Sequence, residues 1–142
     1  MVGILRIEWR DLLAVPFRFG GEDAGTGLDC WGQARVIARR AGFYVPEWPT
    51  RWRDDPSRTM TPALEYVGPV PSCATHIADL LVSDPEELGW PSHVATIIDE
   101  RTRHALSTSG KYGPYTLPAA RHPCTYGVWR PKIRLDAEEV AP

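Results

Sequence analysis

No run in the 142 residues approaches the roughly 18 consecutive apolar side chains that a membrane-spanning helix requires. The opening Met1-Val2-Gly3-Ile4-Leu5-Arg6-Ile7-Glu8 is too short and too charged for a signal peptide. Membrane insertion is therefore not expected, and work outside a cell would need another means of delivery. A basic excess is also missing: 16 Lys and Arg stand against 18 Asp and Glu, for a net charge of -2. Binding to a phosphate backbone depends on such an excess, so nucleic acid is not expected as a partner. Cysteine is scarce. Cys30, Cys73 and Cys124 are odd in number and far apart, which fits neither a disulfide framework nor a CxxC zinc pattern. At least one thiol should be free, and Cys73 with Cys124 is the pairing open to an oxidising setting.

What is present reads as one α+β domain over residues 1–142, with 43% hydrophobic and 24% charged residues. Fourteen prolines, about twice the usual share of ~5%, favour loops and short strands over a helical bundle. Residues 4–14 alternate Ile4, Ile7, Leu12 and Leu13 with charged positions and predict a short amphipathic helix stopped by Pro16. A glycine-rich turn over 19–28 precedes a second helix at about 29–41, with Ala34, Ile37, Ala38 and Ala41 on one face and Gly42 as its C-terminal cap. Six prolines and Trp48 and Trp52 make a long loop of residues 45–72, with one helical turn near 62–66. Exposed Trp48, Arg51 and Trp52, with the Trp90 turn, are expected to contact a partner protein or a substrate. Strand-type runs follow at 77–82, 93–98, 103–108 and 125–129, and helices followed by strands suggest a mostly antiparallel sheet.

Cys30 carries the sharpest chemical signal. A thiol that opens a helix lies at the positive end of the dipole, which lowers its pKa and favours the nucleophilic thiolate. Asp29 is placed as the N-cap, and the first-turn amides can hold an oxyanion. The competing reading makes Cys30 a small buried side chain beside Ala34 and Ile37. A nucleophile needs a base, and His93 opens one strand while His104 lies on the next, across the short 99–103 turn. That hairpin is expected to bring His104 beside His93, where it would orient the ring as the third member of a triad. His76 and His122 read as surface or core residues. Zinc on Cys30, His93 and His104 is a weaker use of the same set, since no two ligands are local to each other. Ser109-Gly110-Lys111-Tyr112 lacks the upstream glycine of a phosphate-binding loop and reads as a turn. No cofactor is expected.

Phe17-Arg18-Phe19-Gly20-Gly21, Leu28-Asp29-Cys30-Trp31-Gly32 and Ser92-His93-Val94, in that order and spacing, resemble the NlpC-type family of bacterial cell-wall cysteine peptidases. Asp-Cys-Trp-Gly, the tryptophan-rich loop, His104 and the closing Tyr126-Gly127-Val128-Trp129-Arg130-Pro131 resemble more narrowly the single-domain versions of tailed-phage tails. The resemblance covers residues 4–131. It implies a papain-like α+β fold, with N-terminal helices and the nucleophile helix packed on the sheet. It also implies Cys30 as nucleophile, His93 as base and then acid, and His104 as orienting residue, with substrate contacts from Asp29, Phe17, Trp31 and Ser92. The substrate implied is the peptidoglycan stem peptide, cut within a phage tail tip that also supplies protein partners, which places the chain in the virion at the bacterial wall. Phe17 stands where many members have tyrosine and Trp31 where many have serine, which removes two polar handles from the substrate site. A structural tail-tip or assembly protein that keeps the fold as a docking module is the alternative.

Overall fold

The computed structural model describes residues 6–47, 64–65, 67–70 and 76–136. Trp48, Arg51, Trp52, Cys73 and most of the proline-rich segment lie outside the described residues, and so does the turn expected near residue 62, apart from residues 64 and 65. Among the described residues no helix is long and apolar enough to cross a membrane.

The first helix is shorter than the apolar pattern predicts. Among the described residues only a 3-10 turn, Arg10–Ala14, forms, because the Glu8 carboxylate accepts from the Trp9 and Arg10 amides just ahead of it and Pro16 follows closely. Within that turn only Leu12 is buried. Next comes a small hairpin, β1 (Glu22–Asp23) with β2 (Gly27–Leu28), and then helix α1 (Cys30–Arg40). Asp29 caps α1 by accepting from the Gly32 amide at 2.7 Å. Gly42, at φ +90°, lies just past the Ala41 C-cap in the left-handed region that ends helices.

The remaining strands are β3 (Phe43–Tyr44), β4 (Val67–Val70), β5 (Leu80–Ser83), β6 (His93–Asp99), β7 (His104–Ser109), β8 (Gly113–Pro118), β9 (Val128–Pro131) and β10 (Ile133–Arg134). Six of them make one sheet in the order β4-β9-β5-β6-β7-β8, all antiparallel, so the mixed α+β class is as read. Two strands of this sheet escape the sequence pattern. Strand β4 holds Pro69 and β8 holds Pro114 and Pro118, and both lie at the edges of the sheet, where a missing N–H costs no ladder bond.

Helix α1 covers one face of this sheet, packing Ala34, Ile37 and Ala38 with Leu80, Val82, Val94, Ile98 and Leu106. Leu81, Ala95, Ile97, Ala105 and Val128 form a second cluster with Val70 and Ala119. Trp31 belongs to the first core: it is 2% exposed and its indole N–H donates to the Pro46 carbonyl. The substrate contact expected of Trp31 is thereby corrected, since its one polar atom is spent inside the protein.

The start of α1 is fixed by backbone contact. Asp29 N–H donates to the Gly21 carbonyl, and a Cβ on Gly32 would run into that same carbonyl oxygen. Replacing Gly32 with alanine should therefore destabilise the fold by about 2–4 kcal/mol, since backbone rather than a flexible side chain must move. Urea denaturation of the variant checks this, and a loss below about 0.5 kcal/mol would contradict the contact.

Candidate active site

Strand β6 changes partner along its length. It pairs with β5 over His93–Thr96 and with β7 only from Thr96 to Asp99, whereas β7 stays paired with β8 over all of His104–Ser109. The upper halves of β6 and β7 are therefore not laddered to each other. A pocket of about 430 Å³ opens at this end of the sheet, lined by Phe17, Asp29, Cys30, Ser92, His93 and His122 among others. Phe17 is held there by a parallel bridge to Leu28 and stands next to the β7–β8 turn at Gly110.

Cys30 and His93 thus share one pocket, but they meet it with other partners. The amide of Val94, the residue after His93, acts on the Cys30 sulfur in favour of its ionised form. The His93 Nε2 is bonded to the Ser107 hydroxyl at 2.7 Å. Among the described residues no hydrogen bond joins the thiol to the imidazole. Ser107 is fully buried on β7, which fixes the ring and leaves Nδ1 as the nitrogen for a proton from the thiol.

His104 does not take part. It lies opposite Asp99, at the turn end of the β6–β7 hairpin. Six residues of strand, about 20 Å, separate Asp99 from His93, so His104 can neither orient that ring nor share a zinc ion with it. The expected triad is corrected on this point. An antiparallel hairpin sets the residue nearest the turn on one strand against the residue nearest the turn on the other, and His93 is the far end. Ser107 holds the position the sequence reading gave to His104, reaching His93 diagonally, since the register from Thr96 and Leu106 would set Ala95 across from it. His122, read as a surface or core residue, is buried in the pocket wall with its ring stacked on Tyr115 at 6.1 Å. Ser92 lines the pocket, but its hydroxyl donates to Asp84, which also accepts from the Leu88 and Gly89 amides and so shapes the 84–92 loop.

The electrostatics reverse one expectation. Burial, and then the charge of Asp29, push the Cys30 thiol up to about 12, against the pull of the Val94, Trp31 and Cys30 amides. Burial also pushes His93 down to about 4, with His122 adding to it. The resting pair is accordingly thiol and neutral imidazole, not thiolate and imidazolium. Asp29 is raised to about 6, first by burial and also by Glu22, against the Gly32 amide.

These shifts act on stability in opposite directions. Asp29 binds a proton more tightly folded than unfolded, so its contribution is full below the unfolded value near 3.8 and is lost as pH rises through 6. His93 binds its proton less tightly folded, so stability is lost as pH falls from the unfolded 6.5 toward 4.

No family model, curated protein or solved structure matches the chain. The site is therefore read from its own geometry. Cys30 and Cys124 both carry free thiols, the second exposed, which gives an internal standard for reactivity. Asp29→Asn keeps the capping oxygen and removes the buried charge. It should raise stability at pH 7 by on the order of 1–2 kcal/mol and flatten the loss between pH 4 and 6. The same variant should speed iodoacetamide labelling of Cys30 relative to Cys124. Unchanged labelling together with unchanged stability would show that Asp29 carries no charge at neutral pH.

Proposed function

We propose that the protein is a papain-like cysteine peptidase of the NlpC type that hydrolyses peptidoglycan stem peptides and is carried in a phage tail tip beside other tail proteins. The observation that carries the catalytic part is the shared pocket: a cysteine on the first residue of a helix, and an imidazole whose far nitrogen is bonded to a buried serine. The tail setting and the wall substrate rest on the resemblance of the Asp29-Cys30-Trp31-Gly32 and Tyr126–Pro131 segments.

In this reading His93 Nδ1 takes the thiol proton as the Cys30 sulfur attacks the peptide carbonyl, a contact that closes when substrate fills the pocket. First-turn amides of α1 hold the developing oxyanion. The C–N bond then breaks, with His93 returning the proton to the leaving amine, and water attacks the thioester to release the acid and restore the thiol. A base that stays neutral down to about pH 4 remains competent throughout the neutral range.

The structural docking module is favoured by one observation: Cys30 is 4% exposed and held protonated, as an inert core thiol would be. Purified peptidoglycan separates the two readings. Wild-type protein should release new amino termini, identified by mass spectrometry, and Cys30→Ala should release none. Ser107→Ala should lower the rate by about 10–100-fold, the scale of losing ring orientation at a base, whereas His104→Ala should stay within about twofold of wild type. Equal product from wild type and Cys30→Ala would end the peptidase reading, and a large loss in His104→Ala would end the Ser107 assignment.

A further inference from the structure

A second pocket, of about 230 Å³, lies by the turn end of the β6–β7 hairpin. The segment ahead of the 3-10 turn runs past it with alternating exposure: Ile7 and Trp9 pack against the core, and Arg6, Glu8 and Arg10 are exposed. Ile77 and Ile98 complete the apolar lining, and the hairpin turn adds Arg101.

The charges around this pocket do not cancel. Arg6, Arg10 and Arg101 are exposed, and among the described residues none of their guanidiniums makes a hydrogen bond or an ion pair. Arg10 lies instead over the Trp9 ring, 4.9 Å from its centroid. Asp99 is the one carboxylate in the lining, and it accepts from the Arg101 and Thr102 amides. Glu8, between Arg6 and Arg10, accepts from the Trp9 and Arg10 amides. In a chain of net charge -2, three uncompensated guanidiniums make a local excess that an anionic partner would complement.

Shape and size decide the kind of partner. The volume falls below the ~300–1,000 Å³ of sites that enclose a whole small molecule, so the pocket fits one or two side chains of something larger. A lipid surface takes up apolar groups that project into it, whereas here the apolar groups line a recess. Arginine and tryptophan are also the side chains that most often anchor protein interfaces.

We propose that this recess docks an acidic segment of a partner protein, with its carboxylates on Arg6, Arg10 and Arg101 and an apolar side chain against Trp9 and the isoleucines. Six residues of β6, about 20 Å, separate Asp99 from His93, so the docked segment leaves the Cys30 pocket open. That the partner is a tail protein rests on the function proposed above; the docking itself does not.

Three capped pentapeptides, ELELE, QLQLQ and EGEGE, test it beside vesicles of phosphatidylcholine and phosphatidylserine. The readouts are the indole N–H signal of Trp9 in NMR for the peptides and cosedimentation for the vesicles. ELELE should shift the Trp9 signal, and QLQLQ and EGEGE should bind at least about fivefold more weakly, since each lacks one of the two kinds of contact. Arg6→Gln, Arg10→Gln and Arg101→Gln should each weaken ELELE binding by about two- to fivefold, the scale of an exposed ion pair. Arg134→Gln, which alters an exposed arginine on β10, should leave it unchanged. Equal binding of QLQLQ or EGEGE, no response to ELELE, or vesicle binding that depends on the same three arginines would overturn the docking surface. Binding of ELELE by a protein that leaves peptidoglycan intact would remove the peptidase reading alone, and hydrolysis without that binding would remove the docking surface alone.

Discussion

The division of strand β6 between two neighbours is the constraint on which the site depends. A strand can ladder on both edges along its whole length, and β6 does so only around Thr96. Beyond that residue β7 follows β8 instead, and groups that would have faced each other across a closed sheet are given other partners. The Val94 amide acts on the Cys30 sulfur, and the Ser107 hydroxyl bonds the His93 ring. The helix is brought to this opening by the close approach of Gly32 to the Gly21 carbonyl, so a contact between two glycines places the thiol.

At Cys30 two effects compete, and their magnitudes decide between them. A helix end stabilises a partly buried charge by roughly 0.3–2 kcal/mol, whereas full burial shifts an ionisable group by as much as ~3–5 pKa units, several times more. The neighbouring Asp29 carboxylate adds to the burial side. The dipole argument, sound for an exposed thiol, therefore fails for one that is 4% exposed. What remains is a site held electrically neutral at rest, in which proton movement must accompany bond formation.

Local patterns made much of this legible. The α1 boundaries followed from Asp29, the 3.6-residue apolar spacing and Gly42, and the central strands from β-branched runs between turn residues. The Cys30 and His93 positions followed from their places at the openings of those elements. Strands β4 and β8 were hidden because proline argues against a strand, and only their edge positions make it harmless. The pairing of His93 with Ser107 rather than His104 is a matter of register, which a side-chain inventory does not contain. The burial that sets the Cys30 and His93 proton affinities is a tertiary property, and no residue near either in sequence announces it. Trp31 was expected at the site because the resemblance sets it where many members have serine, but a helix turns successive side chains by about 100°, which carried it into the core.

Strand β9 lies between β4 and β5 although it comes long after both in the chain. Its Arg130 reaches Asp79 in a two-pronged ion pair at 2.7 and 2.9 Å, and Asp79 is wholly buried. During synthesis the β6–β7–β8 meander can assemble as it emerges, because its contacts are local. The β4 and β5 edges, and the Asp79 carboxylate between them, must wait for Val128–Pro131. Until that segment arrives the nascent chain presents two open strand edges and a carboxylate not yet joined by Arg130, the kind of intermediate that pairs with other chains or is held by chaperones. The sheet is thus completed from its middle, by the last of its six strands to be made.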